Sequence, residues 1–251
     1  MTVRPTTRCL TIGTSITLFC CCCVAQETAR SGMVSVNSIV EALEKAQTGV
    51  RPQVSYQVIR EYRLFGANDS SANSDVVAEV DFRPPASKDY RIEKSSGSAR
   101  GWQVVRRVLD HEVEATSNVN RARSAVNRDN YDFNYIGEGI LDGQPCYVLG
   151  VKPNRKEKDL IAGNVWVDKH SFFLRQIEGE LAKTPSWWLR KVRVKLTFAE
   201  LNGTWLQTSM EAVADVRMVG PQTLTSRILD YRGADEVAST RTSMRSVDRK
   251  Q

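Results

Sequence analysis

Alternating apolar and polar residues along most of the chain predict about ten β-strands. The clearest pair lies at residues 164–167 and 172–177, where runs rich in β-branched and aromatic residues flank the polar connector Asp168-Lys169-His170-Ser171. This pattern is typical of a β-hairpin. In the next run, residues 187–198, apolar positions alternate with basic ones. One face of this meander should therefore be buried and the other solvated.

The remaining strands follow the same period of two. They are predicted at residues 54–65, 76–82, 89–94, 131–136, 146–151, 205–216 and 223–231. Two turn signals, Asp142-Gly143 and Asn202-Gly203, fall between such runs. Both dipeptides favour the two-residue turns of β-hairpins, so we expect a long antiparallel meander.

Two segments have the period of a helix instead. Near the start of the chain, an apolar stripe is formed by Val36, Ile39, Val40, Leu43 and Ala46. Ser38 and Glu41 have the spacing of a capping box, and Gly49 favours the end of this helix of about ten residues. The second helix is predicted at residues 98–117, and residues 118–130 should form a loop or a short helical piece. The apolar stripe of this second helix consists of Trp102, Val105, Leu109 and Val113.

These elements together predict an α+β protein that is mainly β. Ten sequential antiparallel strands in one sheet curl strongly, because the twist between neighbours accumulates. We expect a half-open antiparallel β-barrel with an N-terminal helix and an inserted lid helix, spanning residues 35–232. Its interior is either filled by side chains or holds a lipid-sized cavity. Residues 233–251 are polar and predict a flexible tail. No repeat or second domain is evident.

The first residues predict export. Arg4 and Arg8 precede an uncharged run that ends at Ala25, and this is the pattern of a cleavable signal peptide over residues 1–25. The rival interpretation is a lipoprotein, because Leu18-Phe19-Cys20-Cys21 loosely resembles a lipobox, although Phe19 is bulky for that motif. Removing residues 1–25 lowers the net charge from +6 to +4, since the 35 basic residues become 33 against 29 acidic ones. We therefore expect a periplasmic protein.

Export would also leave a single cysteine. Five of the six cysteines lie in the predicted signal peptide, and Cys146 alone remains in the exported chain. An internal disulfide is then excluded, so stability must come from burial. Cys146 lies in a strand pattern without a basic neighbour in sequence, which favours a buried structural thiol over a catalytic one.

The order of elements and several local sequences resemble the LolA/LolB-like proteins of the bacterial envelope. The run NVWVDKHSFFLRQIEG at residues 164–179 is similar to the hairpin that carries the Trp-x-Asp signature of that superfamily, here Trp166-Val167-Asp168. The pieces DNYDFNYIGEG, YVLGVKPNRK and KTPSWW resemble an uncharacterised branch of it. The resemblance covers residues 35–232 and implies a hydrophobic cavity that takes acyl chains under a helical lid.

Motifs of enzymes are not found. His111-Glu112 begins a zinc-protease pattern, but Ala115 stands where the second histidine belongs, which favours a solvated helix face. His170 lies in a predicted turn beside Asp168. The exported part of the chain holds no nucleophile elbow, phosphate loop or dinucleotide fingerprint. We predict a protein that is not an enzyme, with no metal, no cofactor and no nucleic-acid partner.

Two candidate binding surfaces follow from the stripes and the resemblance. The predicted lipid-binding cavity is lined by Val58, Tyr62, Val80, Phe82, Ile92, Trp102, Val105, Leu109 and Val113. A predicted membrane or headgroup contact consists of Trp187, Trp188, Arg190 and Lys191, because paired indoles beside basic residues suit an anionic lipid surface. The alternative for the two tryptophans is that one packs inward while the other covers a strand edge.

Two functions remain open from the sequence. The first is a monomeric periplasmic carrier or chaperone that binds lipid or lipoprotein acyl chains without catalysis. The second is a sensory or regulatory envelope module of the same fold that binds a protein partner. An apolar pocket of several hundred cubic ångströms would favour the first. An interior filled by Tyr56, Phe82, Trp102 and Phe198 would favour the second.

Overall fold

A computed structural model describes residues 35–49, 54–67 and 69–234. The helices are α1 (Val36–Gly49), α2 (Ala99–Ala115) and α3 (Asn118–Ser124). The strands are β1 (Tyr56–Phe65), β2 (Ser74–Arg83), β3 (Ser87–Gly97), β4 (Tyr131–Leu141), β5 (Gln144–Pro153), β6 (Ile161–Asp168), β7 (Leu174–Leu181), β8 (Leu189–Leu201), β9 (Thr204–Val216) and β10 (Gly220–Gly233). The predicted signal peptide and nearly all of the predicted tail lie outside the described residues.

The ten strands form one antiparallel sheet in the order β3-β2-β1-β10-β9-β8-β7-β6-β5-β4. β1 pairs with β10, so the first and last strands meet inside the sheet, and β3 and β4 are its edges. The sheet is open, because these edges do not pair with each other. β3 and β4 follow one another in sequence, and α2 and α3 connect the two edges. The predicted fold class, a mainly β half-open barrel with an inserted helix, is confirmed.

Both predicted hairpin dipeptides form left-handed turns. Asp142 and Gly143 have φ values of 49° and 77°, and Asn202 and Gly203 have 47° and 80°. Two consecutive positive φ angles define the type I′ turn, whose twist matches that of the flanking strands. These turns fix the register of β4 with β5 and of β8 with β9.

The first helix begins three residues earlier than the capping box predicts. Ser35 rather than Ser38 caps it, because the backbone N–H of Ser38 donates to Ser35 Oγ at 3.1 Å. The helix is therefore 14 residues long instead of about ten. Its predicted stripe is correct, since Ile39, Val40 and Leu43 are buried.

The second helix follows its prediction closely. Ser98 caps it, accepting the N–H of Gly101 at 3.1 Å, and Val105 and Leu109 are buried in its stripe. The polar segment after it forms the short helix α3, one of the two outcomes that its sequence allows.

The interior contains two apolar clusters. The α1 cluster joins α1 to the strands from β4 to β8, and the α2 cluster joins α2 to β1, β2, β3, β9 and β10. Leu196 on β8 packs on the first cluster and pairs across the strands with Met210 on β9, which packs on the second. Directly opposed residues point to the same side of a sheet. Both clusters, and hence both helices, therefore cover one face of the sheet.

Cys146 is buried, as predicted for a structural thiol. Burial raises the pKa of its thiol, so the protonated form is favoured. Within the described residues, no helix is long and apolar enough to cross a membrane.

Candidate ligand-binding cavity

A cavity of about 410 Å³ lies between the helix-covered face of the sheet and the C-terminal end of α2. Its apolar wall comes from strands on both sides of the β1–β10 pair, and its polar wall comes from all three helices and three strands. The apolar wall includes Tyr56, Val58, Val80, Phe82, Phe173, Leu174, Phe198, Trp205, Leu206 and Ile228. The polar wall consists of Gln47, Arg60, Lys88, Glu112, Thr116, Arg121 and Gln207. This size is within the usual range for small-molecule pockets.

The predicted cavity residues do not all line the cavity. Val58, Val80 and Phe82 line the cavity. Tyr62, Ile92, Trp102, Val105 and Leu109 belong to the α2 cluster or pack against it, but they do not line the cavity. Val113 is half-buried and belongs to neither. The middle of α2 is thus packed against the sheet, and the open space lies beyond it, near Ala115.

Four charged residues that line the cavity, Arg60, Lys88, Glu112 and Arg121, were not predicted from the sequence, and the first three lie close together. Arg60 lies on β1 at the same side as Val58 and Tyr62, and it is only 6% exposed. Lys88 lies on the inward side of β3 with Tyr90, and Glu112 continues the buried side of α2 one turn after Leu109. The sequence does contain a signal for these residues, which is a charged residue at a position where the pattern expects an apolar one. Arg60 and Lys88 occupy such positions in the alternation of β1 and β3, and Glu112 does so in the helical spacing of α2.

Glu112 is the centre of this charged cluster. The Tyr62 hydroxyl donates to its Oε1 at 3.0 Å. Arg60 Nη1 lies 3.9 Å from the same oxygen, and Lys88 Nζ lies 4.0 Å from Oε2. Burial raises the pKa of the Tyr62 phenol, and the Glu112 carboxylate raises it further. Tyr62 therefore remains a protonated donor that holds the carboxylate in place.

Burial also perturbs other groups at the cavity. It lowers the pKa of Lys88; Glu112 opposes this effect, whereas Arg60 and Arg121 add to it. Burial raises the pKa of Tyr56 to about 12. The Tyr56 ring stacks on Phe82 with 5.0 Å between the ring centroids, so an aromatic pair forms this part of the cavity wall.

The predicted membrane contact lies at the other end of the sheet. Trp187 is 83% exposed, whereas Trp188 is half-buried and its carbonyl accepts the N–H of Arg217 at 2.9 Å. Arg190 and Lys191 are exposed, and Lys191 pairs with Glu180 at 2.6 Å. Along β8, the nine residues between this end and the cavity correspond to about 30 Å.

A neighbouring turn enlarges this exposed apolar end. Met218 and Val219, which connect β9 to β10, are both exposed, and Met218 has a positive φ of 70°. Because Val216 pairs with Leu189, this turn lies beside Trp188. We name Trp187, Met218 and Val219 the apolar tip.

The Trp-x-Asp hairpin has a structural role at the β6–β7 turn. Asp168 Oδ1 accepts the N–H groups of His170 and Ser171, both at 2.9 Å, and Oδ2 accepts Arg175 Nε at 2.7 Å. Burial opposes the ionisation of Asp168, but these hydrogen bonds outweigh it and lower its pKa to about 2. The Trp166 ring covers Gly139, where a Cβ would lie 2.6 Å from it. This hairpin is therefore part of the scaffold.

The two histidines lie apart from each other in the part of the chain that the structure describes, His111 on α2 and His170 in the β6–β7 turn. His111 Nε2 lies 3.2 Å from Asp159 Oδ1, so the end of α2 lies beside the β5–β6 loop. Among the described residues, no group of three or more His, Cys, Asp or Glu side chains is arranged to hold a metal ion.

No protein-family model and no curated protein matches the chain. Solved structures do match. A domain described as an outer-membrane lipoprotein-sorting protein from Vibrio parahaemolyticus is 16% identical, with a TM-score of 0.41 over 77% of this chain and 91% of its own. A DUF1329 family protein from Desulfovibrio piger is 14% identical, with a TM-score of 0.41 over 79% and 92%.

A third structure is a LolA superfamily protein from Nitrosomonas europaea. It is 15% identical, with a TM-score of 0.36 over 79% of this chain and 93% of its own.

Proposed function

We propose that this protein is a non-catalytic carrier that binds the acyl chain of a lipid or lipoprotein in the cavity beside α2. The observation that carries the proposal is the cavity of about 410 Å³. Its wall includes ten apolar or aromatic side chains, and the cavity lies beside the end of α2. A chain that enters it exchanges water for apolar contacts, and each buried methylene contributes about 0.8 kcal/mol. No covalent step is needed for such a transfer.

The entrance that fits this function lies at the junction of α2 and α3. Ala115 and Thr116 end α2 and line the cavity, and Arg121 of α3 lines it from the other side. Arg121 Nη2 donates to the Thr116 carbonyl at 3.1 Å, and Gln47 Nε2 donates to the Val126 carbonyl at 2.9 Å. A small displacement of this junction would admit a chain while the middle of α2 stays packed. The lid is then the end of the helix rather than the whole of it.

Attachment to a membrane would use the apolar tip, which lies about 30 Å along β8 from the cavity. An exposed indole, a methionine and a valine beside Arg190 and Arg217 suit the interface of an anionic bilayer. The N-terminal pattern at residues 1–25 supports a periplasmic location, where such membranes are accessible.

Removing the indole of the apolar tip should weaken membrane binding alone. We expect Trp187→Ala to reduce co-sedimentation with vesicles of anionic phospholipid by several-fold, because interfacial binding scales with the apolar area that inserts. Thermal stability should not change, since Trp187 is 83% exposed. Val119→Ala, which shortens another exposed side chain far in sequence from the tip, is the control. Equal sedimentation of the two variants would remove the membrane role of the tip.

Filling the cavity should abolish uptake of an acyl chain. In Ala115→Trp the added indole would extend from the last residue of α2 into the cavity, so we expect binding at least about tenfold weaker. The probe is cis-parinaric acid, a fatty acid whose own polyene chain is fluorescent. The matched control is Ala122→Trp, because Ala122 is exposed on α3. Wild-type affinity in Ala115→Trp would show that the acyl site lies elsewhere.

The second candidate, a module that binds a protein partner, is favoured by the free edge at β4. Among the described residues, no strand pairs with one side of β4, and Tyr135, Ile136 and Ile140 are exposed on it. An extended segment of a partner could pair with such an edge. The variant Ala115→Trp distinguishes the two candidate functions, because filling the cavity should not weaken the binding of a protein partner at β4.

A further inference from the structure

The polar wall of the cavity carries more positive than negative charge. Two of its side chains, Arg60 and Lys88, are cationic and lie 3.9 Å and 4.0 Å from the carboxylate of Glu112. These three side chains together have a formal charge of +1. Burying a cation without a counter-charge costs several kcal/mol, so an arrangement of this kind favours an anionic ligand.

Arg60 is the most deeply buried of these cations. Its Nη2 donates to the carbonyl of Gln207 at 2.5 Å, but its Nε is buried without a hydrogen-bond partner among the described residues. The guanidinium lies 3.9 Å from Glu112, beyond the range of a charge-assisted hydrogen bond. Arg60 is thus held at the wall of the cavity with donor capacity unused.

Glu112 does not neutralise the cluster. Its Oε1 already accepts the Tyr62 hydroxyl at 3.0 Å, and Lys88 lies 4.0 Å from its Oε2. Neither cation therefore makes a close pair with it. Burial lowers the pKa of Lys88, Arg60 and Arg121 lower it further, and Glu112 opposes these effects only in part. A second anion near Lys88 and Arg60 would give both cations a close partner and would raise the pKa of Lys88 toward its ordinary value.

The apolar wall begins beside this cluster. Val58 lies two residues before Arg60 on the same side of β1, Leu206 immediately precedes Gln207, and Phe82 pairs across the strands with Lys88. A ligand with one charged end and one apolar end would therefore satisfy both walls at once. The volume of about 410 Å³ suits one chain better than several.

We propose that the cavity binds a single-chain amphiphile with an anionic head, a carboxylate or a phosphate, which Arg60 and Lys88 hold while the chain lies along Val58, Phe82 and Leu206. This proposal rests on the proposed acyl-carrier function and specifies its ligand. The Nη1 group of Arg60 and the ammonium group of Lys88 are donors of charge-assisted hydrogen bonds, which the oxygens of either head accept.

Calorimetric titration with four ligands of one chain length tests the charge preference. They are dodecanoate, dodecyl phosphate, dodecanol and dodecyltrimethylammonium, each used below its micelle concentration. We expect one or both anions to bind roughly tenfold to hundredfold more tightly than dodecanol, which corresponds to charge-assisted hydrogen bonds. The stronger of the two anions identifies the head as carboxylate or phosphate.

Two variants then test whether Arg60 and Lys88 cause the preference for an anionic ligand. Arg60→Met should reduce the preference for the anion over dodecanol to less than about threefold, with dodecanol binding unchanged. The control is Arg227→Met, because Arg227 is exposed on β10 and pairs with Glu61 instead. Lys88→Met should lower the preference by several-fold, and it provides the test if Arg60→Met does not fold.

The possible failures are separable. If dodecanol binds as tightly as the anions, or if the cationic amphiphile binds best, the anionic-head proposal is overturned while the carrier function stands. If none of the four ligands binds to the wild-type protein, the carrier function itself fails. A preference that survives in both Arg60→Met and Lys88→Met would also overturn the assignment.

Discussion

Replacing Asp168 by alanine should lower the free energy of unfolding by about 3 kcal/mol. Asp168 is 3% exposed and accepts three hydrogen bonds, two from backbone N–H groups of its own turn and one from Arg175. Its removal leaves these donors without their acceptor and leaves Arg175, a mostly buried cation, without its carboxylate. Urea unfolding at pH 7 measures the loss.

The control is Asp230→Ala. Asp230 has the same kinds of partner, a backbone N–H at 2.9 Å and Arg232 Nε at 3.1 Å, but its side chain is half exposed. Because exposed ion pairs contribute little, this variant should lose less than about 1 kcal/mol. Equal losses in both variants would show that burial of Asp168 does not matter to the hairpin.

The stabilisation by Asp168 should also depend on pH. Its folded-state pKa of about 2 lies below the ordinary aspartate value, so the stabilisation is complete above about pH 4 and is lost as the pH falls through 2. About 2 kcal/mol of the difference between wild type and Asp168→Ala should therefore disappear between pH 4 and pH 2. A constant difference over this window would contradict the assigned hydrogen bonds.

Leu109→Ala should cost about 3 kcal/mol of stability. Leu109 is 1% exposed at the centre of the α2 cluster, where it packs with strands of the sheet. Truncating such a side chain loses its burial and leaves a cavity that the surroundings refill only in part. The variant tests whether the middle of α2 is core or lid.

Val119→Ala provides the comparison for this variant. Val119 is 69% exposed on α3, so its truncation should change stability by less than about 0.5 kcal/mol. A loss below about 1 kcal/mol in Leu109→Ala would mean that α2 is loosely docked and that the whole helix can act as the lid. The expected larger loss places the opening at the end of α2.

Most of the fold could be predicted because its signals are local. The period-two runs locate all ten strands, and the Asp-Gly and Asn-Gly dipeptides locate two turns whose positive φ angles only such residues adopt readily. The start of α1 was wrong because Ser35 and Ser38 are both good caps, and sequence alone does not decide between them. Strand ends also differed by a few residues, since pairing with a neighbour extends a strand beyond its apolar pattern.

The cavity was less predictable than the fold. Helical spacing identifies the stripe of α2, but it does not tell which part of that stripe packs and which part borders open space. Arg60 and Lys88 occupy apolar positions of their strands, and the sequence pattern treats them as exceptions. The sheet order brings β1, β3 and the end of α2 together. Only this tertiary arrangement shows that Arg60 and Lys88 lie beside Glu112 at one cavity.

If the cavity beside α2 carries an acyl chain in the cell, the chain should remain bound during purification. Mass spectrometry of organic extracts from the protein purified under mild conditions, with Ala115→Trp purified in parallel, tests this most directly. We expect the wild type to carry about one acyl-bearing amphiphile per chain and Ala115→Trp to carry almost none. Equal amounts of lipid in the two extracts, or none in the wild type, would contradict it.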